Sequence, residues 1–427
     1  MIPEPVAWML LMLMACIVMG VPIAFSLILS TLPPLLMEPR FNEILLAQRI
    51  YKGLDSFVLL AVPFFLLAGN LMNACGVTDR LIRFADACVG HLRGGLAHVN
   101  VMVSMLFAGV SGSSTADTAG VGSVLIPAMK QKGFRASFAV SVTASSSVMG
   151  VIIPPSIILV VWGAVTNVSV ARLFAGGILP GILIGVSQMG YVSWKSRRDG
   201  MQPRPKADFG ARKSALYSAS PAMLMPLIIL GGVTFGIATP TEASIIAVAY
   251  ALLLGAVVYR KLSFRMLLTE LVSSSKLVAL SLFCLGSAAL FGWLLAYYGV
   301  PGALTEAASL APNATTLLFS IALVCLILGM ILDALVIAVI IGPLFMPAVL
   351  AAGIDPVHYG IVACIALSLG LITPPYGLCL LLASAIGGIE MHDALGDTMR
   401  IFLVTLTVLI AAILAPGLTT FLAALVI

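Results

Sequence analysis

Ten apolar runs, each close to the length a helix needs to cross a bilayer, are strung along this chain, with the charged residues gathered between them. The runs cover 4–19, 20–37, 55–75, 137–163, 172–194, 219–238, 240–259, 276–298, 357–385 and 399–426. Roughly 20 apolar residues span the hydrocarbon core. Within lipid every backbone polar group must be satisfied internally, which leaves helical bundles as the fold for such runs. Composition closes the soluble alternative. Hydrophobic residues make up 61% of the 427 and charged residues 9%, against about 25% charged in a soluble domain. The first run begins at Val6 behind acidic Glu4, with no basic segment or small-residue cleavage site, and reads as a retained helix. Cys16, Cys75, Cys88, Cys284, Cys325, Cys364 and Cys379 are scattered through apolar segments with no metal or redox spacing, and read as small buried hydrophobes.

Two further apolar stretches, 95–129 and 312–350, are too long for one crossing and are interrupted near the middle. The first break reads Gly109-Val110-Ser111-Gly112-Ser113-Ser114 and the second Gly329-Met330-Ile331-Leu332-Asp333. A straight helix of such length would be about 50 Å long, so each is expected to be a re-entrant hairpin. With an outside N-terminus and ten crossings, the inside segments are 76–94, 130–136, 195–218, 260–275 and 386–400, with Lys276 at an inside edge. Of the 22 Lys and Arg residues, all but Arg40, Arg49, Lys52 and Arg172 then lie inside, as the positive-inside rule requires. Both termini are expected to be periplasmic. The net charge of +5 is thus a topology signal and implies no nucleic-acid partner. The basic segment Lys195 to Lys213 reads as a cytoplasmic linker, with anionic lipid an incidental contact.

The glycines and prolines carry a hidden repeat. Shifted by 220 positions, Gly109, Gly122, Pro127, Gly133, Gly150, Pro154 and Pro155 fall on Gly329, Gly342, Pro347, Gly353, Gly370, Pro374 and Pro375. Random placement would give about one such match, so internal duplication is the economical reading. The repeats are placed at 3–200 and 219–427, joined by a linker at 201–218. The first would hold hairpin 95–129 and broken helix 137–163; the second, hairpin 312–350 and broken helix 357–385. An odd number of crossings between equivalent points inverts the second copy, the arrangement of many secondary transporters.

Each half therefore brings two backbone interruptions together. One pair is the tip Ser111–Ser114 with the break through Ser145-Ser146-Ser147, Gly150 and Pro154-Pro155-Ser156. The other is the tip Gly329 to Asp333 with the break Gly370 to Gly377. Paired prolines leave carbonyls of the preceding turn unbonded. Such backbone survives at membrane depth only inside protein or beside a polar cavity. Free carbonyls and hydroxyls suit Na⁺, and half-helix N-termini suit an anion. An intramembrane acid is costly and needs a partner. Asp333 is expected to contribute to an ion site, and Asp117 either does so or caps a half-helix. Glu242 is expected in the first turn of a helix or in a functional role, and His98 and Asn100 in structural polar contacts. No phosphate-binding loop, metal cluster or Ser-His-Asp set is present in the sequence, so direct ATP drive and enzymatic chemistry find no support.

Several of these runs resemble one family. Phe107 to Asp117, Val62 to Gly69, Pro154-Pro155-Ser156, Gly236 to Ala243 and Thr373 to Gly377 look like the large membrane (M, or DctM-like) subunit of tripartite ATP-independent periplasmic (TRAP) transporters. The resemblance runs in order along nearly the whole chain. It implies a Na⁺-coupled importer of the ion-transporter superfamily, working by an elevator movement in a bacterial inner membrane. Its cargo would be a small organic anion such as a C4-dicarboxylate or sugar acid. Two partners are implied, a small membrane subunit of four helices and a periplasmic substrate-binding protein. One Na⁺ would use Ser111, Gly112 and Ser113 with Ser145, Ser147 and Gly150; a second would use Gly329, Asp333, Gly370 and Thr373. The substrate would lie near Ser114, Thr115, Pro155, Ser156, Thr373 and Pro375. A self-sufficient Na⁺/dicarboxylate symporter and a membrane enzyme or assembly scaffold are the alternatives. One charge moved through 100 mV is worth about 2.3 kcal/mol. A dicarboxylate entering with two Na⁺ gains nothing from the potential, so electrogenic uptake of such a cargo requires a third cation.

Overall fold

The computed structural model describes residues 3–38, 41 and 43–426, and the regular structure among them is entirely helical. The first half runs α1 (Glu4–Val18), α2 (Ile23–Leu29), α3 (Leu32–Met37), α4 (Glu43–Leu54), α5 (Ala61–Ala74), α6 (Val77–Val89), α7 (Gly95–Ser111), α8 (Ser114–Gln131), α9 (Ala136–Ser147), α10 (Ile157–Thr166) and α11 (Val170–Arg198). The second runs α12 (Phe209–Thr234), α13 (Pro240–Leu253), α14 (Phe264–Tyr297), α15 (Val300–Ser309), α16 (Ala314–Gly329), α17 (Ala334–Ala351), α18 (Pro356–Gly370), α19 (Leu378–Gly387), α20 (Met391–Leu414) and α21 (Gly417–Thr420). Among the described residues, seven helices are long and apolar enough to cross a membrane: Phe57–Ala74, Val170–Arg198, Phe209–Thr234, Pro240–Val258, Phe264–Tyr297, Ala334–Ala351 and Met391–Leu414. Other apolar helices are shorter, among them the limbs of the interrupted stretches.

Both long stretches are hairpins. Helices α7 and α8 form the first and α16 and α17 the second, and the limbs of each pack together. Runs 137–163 and 357–385 are both broken, into α9 with α10 and α18 with α19. The run expected as one helix at 20–37 divides at Ser30 and Thr31. There Ser30 Oγ donates to the Leu27 carbonyl and Thr31 Oγ1 to the Ile28 carbonyl, each at 2.6 Å, and Pro33 and Pro34 stand in the first turn of α3, where a missing N–H costs little. Segments expected as loops are also helical. Helix α14 begins at Phe264, inside the expected loop 260–275, with the Ser263 hydroxyl accepting from the Met266 N–H at 3.2 Å. Helix α12 begins inside the expected linker 201–218, where Asp208 accepts from the Gly210 N–H at 3.2 Å. Hydropathy stops at the first charge, whereas a helix continues until its hydrogen bonds run out. At 34 residues, α14 is about 51 Å long and outreaches a bilayer core.

Helix α6 shows why a charged segment folds. Val77, Leu81 and Ala85 are buried on one face, while Asp79, Arg83 and Asp86 are exposed on the other. Helix α4 carries Arg49, whose guanidinium sits 4.3 Å above the Trp293 ring of α14. Arg40, expected outside, lies beyond the described residues. The packing then divides. Helix α5 lies against α13 and α14, and α14 also meets α2 and α4. The first hairpin packs on α9 and the second on α18. Helix α19 crosses to α8 and α9, and α10 crosses to α17, so the two halves interlock at their breaks. Trp162 of α10 and Tyr359 of α18 meet edge to face at 5.0 Å, and the Tyr359 hydroxyl donates to the Ile341 carbonyl of α17 at 2.8 Å.

Candidate functional site at two hairpin tips

Glycine sets the first tip. Gly112 ends α7 at φ +62°, and its N–H donates to the Ala108 carbonyl at 3.0 Å. A Cβ there would overlap the Pro155 carbonyl. Ser113 is extended and N-caps α8: its Oγ accepts from the Ala116 N–H at 3.4 Å and lies 3.0 Å from Thr115 Oγ1. The Ile157 N–H of α10 donates to the Gly112 carbonyl at 3.2 Å, tying the break to the tip. A Cβ on Gly150 would stand 2.9 Å from the Ser113 carbonyl carbon and the Ser114 nitrogen, so backbone meets backbone. Ser156 N-caps α10, accepting from the Leu159 N–H at 3.3 Å. The Pro154–Pro155 and Pro374–Pro375 bonds are cis.

The second tip follows the same plan. The Asp333 carboxylate N-caps α17, accepting from the Leu335 N–H at 2.9 Å. The Tyr376 N–H donates to the Met330 carbonyl at 3.1 Å, again tying break to tip, though at positions shifted from those of the Ile157–Gly112 bond. A Cβ on Gly370 would overlap the backbone of Gly329. Thr373 Oγ1 donates to the Leu369 carbonyl at 2.8 Å. Gly377, at φ +45°, starts α19. Each tip-and-break pair thus gathers two helix N-termini and two helix C-termini. N-termini carry positive partial charge and C-termini unbonded carbonyls, so each pair offers acceptors for a cation beside donors for an anion.

The expected residues fall into place unevenly. Ser111, Gly112, Ser113, Gly150, Pro155 and Ser156 meet around the first tip, and Gly329, Asp333, Gly370 and Thr373 around the second. Ser147 joins through Thr118, whose Oγ1 donates to Ser147 Oγ at 2.7 Å. At Ser145 the carbonyl accepts from Gln188 Nε2 of α11 at 2.9 Å, and the buried hydroxyl has no hydrogen-bond partner among the described residues. Ser114 is buried, whereas Thr115 is half-buried and Pro375 exposed. Asp117 does not cap α8, because Ser113 holds that position. Glu242 closes a capping box, its carboxylate accepting from the Thr239 N–H at 2.8 Å. Asn100 donates to Thr143 Oγ1 at 2.6 Å and His98 Nε2 lies 3.2 Å from Ser193 Oγ, both structural contacts. Sequence reasoning missed Thr118 and Gln188. Thr118 had a signal, its place one turn after Ser114 on the same face; Gln188 had only its polarity inside an apolar run.

The family model described as "Tripartite ATP-independent periplasmic transporter, DctM component" matches residues 10–418. The chain belongs to the DctM family of TRAP transporters. It is 38% identical over 377 residues to the sialic acid TRAP transporter large permease protein SiaM of Vibrio cholerae, covering 87% of this chain and 88% of that one. Identity to the 2,3-diketo-L-gulonate TRAP transporter large permease protein YiaN of Escherichia coli is 35% over 407 residues, covering 95% and 96%. Identity to the C4-dicarboxylate TRAP transporter large permease protein DctM of Pseudomonas aeruginosa is 37% over 366 residues, covering 86% and 85%. The fold is similar to the crystal structure of the Alcanivorax borkumensis YdaH transporter, described as having an unusual topology, with a TM-score of 0.60, 15% identity and 87% of each chain covered. This DctM-family chain is therefore a multi-pass membrane protein and a TRAP large permease, not an enzyme.

Proposed function

We propose that this permease takes up a small organic anion across a bacterial inner membrane, coupled to Na⁺, by an elevator movement. The observation that carries the reading is the doubled arrangement of a hairpin tip docked on a broken helix, backbone against backbone at Gly150 and Gly370. In this reading the halves 3–200 and 219–427 are inverted copies joined through 201–218, with both termini periplasmic. Ser111, Gly112, Ser113, Ser145, Ser147 and Gly150 hold one Na⁺; Gly329, Asp333, Gly370 and Thr373 hold another. The anion sits between the tips, near Thr115, Pro155, Ser156, Thr373 and Pro375, with the backbone of Ser114 beside it. Relatives named for sialic acid, 2,3-diketo-L-gulonate and C4-dicarboxylates share a carboxylate cargo, which supports an organic acid here. The partners are a four-helix membrane subunit and a periplasmic binding protein. The former is consistent with the isethionate TRAP transporter permease protein DctMQ of Oleidesulfovibrio alaskensis, of which the match covers 64%.

The test is uptake into proteoliposomes holding the permease, its small subunit and the binding protein. Replacing external Na⁺ by K⁺ should lower carboxylate uptake more than tenfold. Ser113→Ala and Asp333→Ala should each weaken the apparent Na⁺ affinity at unchanged expression. Uptake indifferent to Na⁺ would refute the coupling, and full uptake without the binding protein would favour a self-sufficient symporter.

A further inference from the structure

Asp117 is unused by the two tips, and its surroundings are unlike those of the other described acids. Its side chain is completely enclosed, and neither carboxylate oxygen has a hydrogen-bond partner among the described residues. One turn earlier on the same face of α8, the Ser114 hydroxyl is also buried and unpartnered. Ser104 of α7 lies beside the carboxylate, its hydroxyl 3.0 Å from Ser146 Oγ of α9. Cys379 of α19 lies against Thr118 and Ser147. The basic residue of α8, Lys130, is more than three turns away and donates to the Gly387 carbonyl at 2.8 Å. A charged carboxylate buried without a counter-charge is among the costliest groups a fold can hold, and at membrane depth such an acid marks an ion path by default.

We propose that Asp117, with Ser114 and Ser104, binds a further Na⁺ one turn of α8 behind the first tip. Both Asp117 oxygens and the Ser114 hydroxyl are buried, clustered within one turn of α8 and without hydrogen-bond partners among the described residues, so all three have lone pairs to offer a cation. The inference rests on the Na⁺-coupled reading and extends it to the charge carried. A dianion with two Na⁺ at the tips crosses as a neutral load. A third Na⁺, neutralised by the fixed carboxylate on the way in and released inside, leaves that carboxylate negative on the return. One net positive charge then enters per cycle, and the membrane potential drives uptake.

Equilibrium binding of ²²Na⁺ to the detergent-solubilised permease with its small subunit tests this directly. Asp117→Asn should bind one Na⁺ fewer per chain than the wild type. Ser114→Ala, which keeps the carboxylate, should raise the half-saturating Na⁺ concentration of one site by about tenfold. K⁺ should displace nothing. If the wild type binds Na⁺ and both variants bind the same number with the same half-saturation, the third site does not exist while the tip sites stand. If the wild type itself binds no Na⁺, the coupled reading falls and this one with it. Should Asp117→Asn fail to fold, the Ser114→Ala titration decides the matter alone.

Discussion

Two glycines do at residue scale what no other residue type can. At Gly370 a methyl group would overlap the backbone of Gly329, and at Gly150 it would stand 2.9 Å from that of Ser113 and Ser114. Backbone cannot retreat as a flexible side chain can, and overpacking typically costs about 1–3 kcal/mol. Gly370→Ala should therefore push the second tip off its broken helix and, on the proposed Na⁺-coupled reading, lower uptake more than tenfold. Gly231→Ala on α12, where a Cβ meets nothing within 4 Å, should leave uptake unchanged. Equal uptake by both variants would show that the tip does not need that contact. These glycines were legible in the sequence because their need is local and recurs in both halves. The choice among the α9 serines was not. In a helix buried on every side, such as α9, hydroxyls at 145, 146 and 147 look alike, and only the neighbours decide which one faces the tip.

At element scale the breaks were readable and the helix ends were not. Double prolines and glycines announce an interruption wherever they stand, and both hairpins and both broken helices followed from them. Charges, by contrast, mark where the hydrocarbon ends rather than where a helix does, which hid α4, α6, α15 and the first turns of α12 and α14. The elevator reading makes the hairpins and broken helices one body that slides against α5, α12, α13 and α14. Cysteine pairs test this in a background lacking the partly accessible Cys88 and Cys284. A Cβ on Gly292 of α14 would lie 3.9 Å from Ile340 Cα of α17, so Gly292→Cys with Ile340→Cys joins the two bodies. Oxidation should stop uptake, and reduction should restore it. Gly387→Cys with Val140→Cys joins α19 to α9 inside the moving body, a Cβ on Gly387 lying directly against the Val140 side chain. That crosslink should leave at least half the uptake. Arrest by both pairs, or by neither, would contradict the sliding body.

For the whole molecule, the order of elements carries the argument. From α7 to α11 and again from α16 to α20, the chain makes a hairpin, a broken helix and a long helix. Proteins built from two such copies in opposite senses reach outward- and inward-facing states by exchanging the roles of the copies. Inversion therefore requires the two hairpins to enter from opposite faces. The ends of each hairpin can be labelled: Gly133 and Gly353 follow the second limbs with open space around a Cβ, so a cysteine there, though strained at positive φ, is reachable, while His91 and Asn313 precede the first limbs. Single cysteines at His91 and Gly133 should react with a membrane-impermeant thiol reagent only from the cytoplasmic side. Those at Asn313 and Gly353 should react only from the periplasmic side. Sequence charge supports that assignment, since Lys130, Lys132 and Arg135 flank the end of the first hairpin and no basic residue flanks the second. Labelling of His91 and Gly133 from different faces would make the first hairpin a through-going pair. The tip at Ser111–Ser114 would then lie at a surface, where neither an ion cage nor alternating access can be built from it.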